Sequence, residues 1–168
     1  MAGLILTLSG LVFAGGLVAA ALSDLRAFHI SNTIPLVLLA GFCVAGYAGG
    51  LSGEDWLWHL GCAGGAFVAS VALFALGVWG GGDAKLVPAV MLWTGPGGGI
   101  RFLFVMAVAG GIVALVAVVA RRVPLGPSGP VRRWGERLVA NGHVPYGVAI
   151  AAGGFDWWSL VFLPRLIG

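Results

Sequence analysis

The chain has 168 residues, 60% of them hydrophobic and only 9% charged, with a formal net charge of +3. A soluble domain carries about a quarter charged residues to cover its surface, so this composition excludes an ordinary soluble fold and makes the lipid bilayer the expected solvent. The small positive balance gives no reason to expect a nucleic-acid partner, and Cys43 and Cys62 lack the C-x-x-C spacing of a structural zinc site.

Crossing ~30 Å of hydrocarbon takes about 20 apolar residues. In chain order the apolar runs are Leu4–Leu22, Ile34–Tyr47, Trp56–Trp79, the short Ala84–Trp93, Ile100–Ala120 and Val144–Leu163. The first lacks a basic n-region and is too long for a signal peptide core, so it reads as a span. A turn is expected over Gly49–Asp55, a Gly-rich connection over Gly95–Gly99 and a polar loop over about 121–143.

Charge decides whether the short fourth run crosses. With six crossings and the N-terminus outside, Arg26, Lys85, Arg121, Arg122, Arg132, Arg133 and Arg137 lie inside, and only Arg101 and Arg165 lie outside. No arrangement without the fourth crossing does as well by the positive-inside rule. The expected fold is therefore all-α: a polytopic membrane helix bundle of about six transmembrane helices, a single domain over 1–168 with both termini outside. In the loop, Pro124, Pro127 and Pro130 precede a short basic amphipathic stretch, Val131, Trp134 and Leu138, which is expected to lie on the inner leaflet.

Ionisable groups are costly in a membrane, so each asks for a reason. Of the six acidic residues, Glu54, Asp55 and Glu136 fall in loops and read as solvated. Asp24 ends the first span and Asp83 opens the fourth; two crossings separate them, so both come to the inner face. Two facing carboxyl groups share one proton. The ionised partner can activate water against a peptide carbonyl, and the protonated partner can donate to the carbonyl oxygen. Gly80, Gly81 and Gly82 before Asp83 leave open backbone for an extended substrate.

Plainer readings stand beside this one. Asp83 could cap the helix beginning at Ala84, Asp24 could mark the interface near Arg26 and His29, and Lys85 could offset Asp83 or snorkel to headgroups. Asp156, beside Trp157 and Trp158, reads as an outer-interface residue, and His59 as an interfacial histidine beside Trp56 and Trp58. No metal-ligand spacing or serine triad order is present.

Gly80-Gly81-Gly82-Asp83-Ala84-Lys85 resembles the G-x-G-D-x-K motif of type IV prepilin peptidases, a family of intramembrane aspartyl proteases. Asp24-Leu25-Arg26 followed by Ile30-Ser31-Asn32 is similar to that family's first-aspartate motif, with Ser31 where the family usually has proline. Pro145-Tyr146-Gly147-Val148-Ala149-Ile150 resembles its last-helix motif. The resemblance implies that Asp24 and Asp83 are the catalytic pair, with Gly80, Gly82, Lys85 and Asn32 at the motif and substrate approach, and that no cofactor or metal takes part. It implies a prepilin or pseudopilin substrate, cut at the cytoplasmic side of the bacterial inner membrane. The zinc-type cysteine pairs of the larger methylating members are missing. This chain therefore resembles the minimal CpaA- or TadV-like type of Tad/Flp pilus systems, and N-methylation is not expected. The alternative kept beside it is a non-catalytic membrane scaffold or channel subunit of a pilus or secretion machine.

Overall fold

The computed structural model describes residues 1–122 and 145–167. The described residues are helical apart from short connections and contain no strand. They form α1 (Ala2–Ala27), α2 (Thr33–Gly49), α3 (Gly53–Ala75), α4 (Asp83–Arg122), α5 (Tyr146–Val161) and the short α6 (Leu163–Ile167). The expected prolines and the amphipathic stretch around Val131–Leu138 lie outside the described residues.

Three helices, Ala2–Ala27, Gly53–Ala75 and Asp83–Val119, are long and apolar enough to cross a membrane, and Thr33–Gly49 is a shorter apolar helix. Large side chains such as Leu4, Leu11, Leu57, Val68, Phe104 and Leu115 face outward. An exposed apolar surface of that extent belongs against lipid. The interior is a narrow seam of Phe13, Leu17, Leu38, Leu86, Val90, Phe102 and Ile150.

Each expected apolar run coincides with a helix, and the differences lie at the ends. Gly53–Asp55, expected in a turn, is the first turn of α3. Ser52 accepts from the Asp55 amide, and the Asp55 side chain accepts from the Ser52 amide, closing a capping box. α1 runs on to Ala27, which places Asp24 inside its last turn. Phe28 then stops the helix in a left-handed conformation (φ 51°), its N–H bonded to the Asp24 carbonyl.

The largest difference concerns Gly95–Gly99. The expected connection is compressed into one residue, Gly95, at φ 56° and ψ −161°, a conformation that essentially only glycine adopts. Pro96 restarts the helix at once, with its ring pre-set for a first turn. The two arms of α4 run antiparallel. Gly99 folds back against Met91. Along α5, Gly154 meets Val90 of the first arm, while Gly153 meets Phe102 and Tyr146 meets Gly110 of the second. These contacts put the first arm parallel to α5 and the second antiparallel to it.

Glycines carry much of this packing. A Cβ at Gly153 would fall 2.7 Å from the Phe102 carbonyl oxygen, so α5 and α4 approach backbone to backbone. Around the Gly95 reversal the interior is aromatic. Phe13 and Trp93 lie 4.8 Å apart by centroid, and Phe42 and Trp56 5.3 Å. The Trp93 and Trp158 indoles donate to the Leu38 and Gly10 carbonyls at 2.8 and 2.7 Å.

Candidate active site

The opposite end of the bundle from this aromatic cluster holds a cavity of about 460 Å³. The last turn of α1 supplies Asp24 to its wall and the α1–α2 connection Phe28, His29, Ile30 and Asn32; the α3–α4 connection and the start of α4 supply Gly80, Gly81, Gly82, Asp83 and Lys85. The two acids and the motif residues that the sequence singled out therefore share one cavity. Asp24 and Asp83 are 7% and 8% exposed, buried enough that the ionisation of each depends on its neighbours.

Asp83 is held by its own turn. Its Oδ2 accepts from the Gly80 amide at 3.3 Å, while the Ala84 amide donates to the Gly80 carbonyl. The carboxylate thus reaches back along the chain, as the third helical residue of a capping box does. A Cβ at Gly82 would lie 2.9 Å from Ile30 Cβ and 3.4 Å from its amide nitrogen. Only a glycine there lets the α3–α4 turn lie flat on the α1–α2 connection, and that contact sets the two acids' walls against each other.

Asp24 is held from a distance. Its Oδ2 accepts from the Gly147 amide at 2.6 Å, across 123 residues. Gly147 stands in the first turn of α5, so the positive end of that helix points at a carboxylate in the last turn of α1. A Cβ at Gly147 would fall 2.9 Å from both Cβ and Oδ2 of Asp24. Sequence reasoning quoted Gly147 within the last-helix motif without giving it a contact. Its place just after Pro145, at the start of an apolar run, was the local signal.

Lys85 Nζ donates to Asn32 Oδ1 at 2.9 Å, joining the two motifs across the rim of the cavity. Lys85 is thus tied to the α1–α2 connection, where the snorkelling reading had it reaching for headgroups. Asp156 is elsewhere. It takes a two-pronged bond from Arg101, at 2.6 and 3.0 Å, about 15 Å along α5 from the end that meets Asp24. His59 is more than an interfacial residue. Its Nδ1 stands 2.7 Å from the Leu92 carbonyl oxygen, and its ring fills the space beside Gly95. Among the described residues no three His, Cys, Asp or Glu side chains converge on one point.

The type IV leader peptidase family matches residues 11–115, well over half of the chain. The chain belongs to this family. No curated protein and no solved structure matches it. The peptidase family match takes in both acids, the glycines before Asp83, Asn32 and Lys85, and ends before Gly147. Membership brings a leader peptidase role and a membrane setting.

Proposed function

We propose that this chain is a membrane-embedded aspartic endopeptidase. It removes the leader from Flp-type prepilins or pseudopilins at the cytoplasmic face of the bacterial inner membrane, as a minimal CpaA- or TadV-like member of its family. The observation that carries the reading is the meeting of Asp24 and Asp83 at one cavity, each buried and each oriented by a backbone amide. One carboxylate takes a proton from a water in the cavity, and that water attacks the scissile carbonyl. The other carboxyl group donates to the carbonyl oxygen, and the proton on the first then passes to the departing amine. Gly80–Gly82 line the cavity, and an extended peptide entering it would pass along them.

The same reading takes the chain to cross six times, with both termini outside. The antiparallel arms of α4 supply the reversal that parity needs, and most of the chain's basic residues then fall on the side of the Asp24–Asp83 end. The scaffold reading draws on the same hydrogen bonds, since Asp83 also ties its own turn together and Asp24 joins α1 to α5.

Cleavage of a prepilin by purified wild type, Asp24→Asn and Asp83→Asn separates the two. Asparagine keeps an oxygen for the Gly147 or Gly80 amide and removes the acid. A peptidase loses cleavage by at least about a thousandfold in each variant while its melting temperature stays near that of wild type. A variant that cuts at the wild-type rate ends the dyad model.

A further inference from the structure

We infer that the cleft between α2 and α3 seats an apolar helical segment of the substrate. This rests on the peptidase reading and adds the binding site that reading lacks. The cleft measures about 580 Å³. Leu36 and Leu39 form one wall, Leu60, Gly64 and Phe67 the other, and Pro88 of α4 lies in the floor.

The cleft follows from how the helices pair. α2 packs chiefly on α1, and α3 on α4. The two meet near their joining turn, where Trp56 lies against Gly46 and Phe42, and share no extended contact beyond it. They diverge toward the carboxylate end. There Asn32 and Lys85 line both the cleft and the acid cavity, so the two spaces adjoin at this pair.

The chemistry of the walls selects the occupant. At membrane depth an apolar slot takes an apolar chain, and a peptide in hydrocarbon must satisfy its own backbone, so the chain is helical. Leu60 and Phe67 are separated by about 10 Å of helix rise, which gives the seat a length of two turns. The Lys85–Asn32 bond marks the level at which the substrate leaves this seat and enters the polar cavity as extended chain. Gly64 deepens the seat, because no atom lies within 4 Å of the position its Cβ would take. The opposite face of α3 carries a second apolar cleft, of about 480 Å³, lined by Gly61, Gly65 and Met91 among others, and none of its lining residues borders the acid cavity.

Adjacent glycines on the two faces make a matched test. A Cβ at Gly64 or at Gly65 would meet nothing within 4 Å, so both sites accept a larger side chain without a clash at Cβ. KM and kcat are measured on a full-length prepilin in detergent for wild type, Gly64→Leu and Gly65→Leu, with melting temperatures alongside. Gly64→Leu raises KM about tenfold, the effect of crowding a hydrophobic pocket, and keeps kcat within about twofold. Gly65→Leu changes neither. A wild-type KM in Gly64→Leu overturns the inference and leaves the cleft to lipid. An equal rise in Gly65→Leu, or a fall in kcat alone, overturns it as well. If wild type itself fails to cut, the peptidase reading falls, and this inference with it.

Discussion

Asp24 sits at the unfavourable end of α1, where the helix dipole is negative, and the first turn of α5 offsets this with the Gly147 amide. An alanine at 147 cannot enter without moving Asp24, because its Cβ would lie 2.9 Å from the carboxylate's own Cβ and Oδ2. Misplacing a reacting group by about 1 Å costs about a hundredfold in rate. Gly147→Ala is therefore expected to lower kcat by about that factor, with a smaller effect on KM, as read from steady-state cleavage. Gly82→Ala acts through the other wall, by lifting the α3–α4 turn off Ile30, and is expected to lower kcat in the same assay. The acids and the glycines before Asp83 were legible in the sequence because they are local patterns. The Gly147 bond was not, because its partner lies 123 residues away and a backbone amide leaves no mark in residue type.

At the scale of elements, the helices were legible from apolar run length, and their ends were not. The start of α3 was marked by Ser52 and Asp55, a cap-and-return pair overshadowed by the acidic look of the turn. The α4 reversal was read as five glycine-rich residues and is one, because Pro96 can begin a helix and Gly97–Gly99 can continue it when neighbours pack closely. Gly95 meets two obstacles to substitution: its backbone conformation, and the His59 ring 2.4 Å from the place of a Cβ. Gly95→Ala is expected to cost about 2–3 kcal/mol, seen as a drop of several degrees in melting temperature. Adding His59→Ala removes the ring but not the backbone strain, so the double variant should recover only part of the loss.

For the whole molecule, the topology proposed rests on the placing of six carboxylates and nine basic residues, because few charges on a membrane protein leave few arrangements. The cleft between α2 and α3 was not legible, since it arises from two helices pairing with others. The proposed topology makes a labelling pattern. In a chain with Cys43 and Cys62 replaced by Ala, an impermeant thiol reagent applied from outside should label Ser52→Cys and Gly97→Cys. It should reach His29→Cys only after the membrane is opened. Labelling of Ser52→Cys without Gly97→Cys would mean that the arms of α4 do not bring the chain back across.

The Asp24–Gly147 bond also imposes a schedule on synthesis. The carboxylate leaves the ribosome 123 residues ahead of the amide that holds it, about 6–25 s at roughly 5–20 residues per second. Once Asp83 has followed, the nascent chain contains both acids and the glycine turn, yet its first acid has no α5 to orient it. Fastening comes with the last long helix. A chain released before residue 145 would hold both acids and lack the amide that orients Asp24, so on the proposed mechanism it would be an unfinished enzyme.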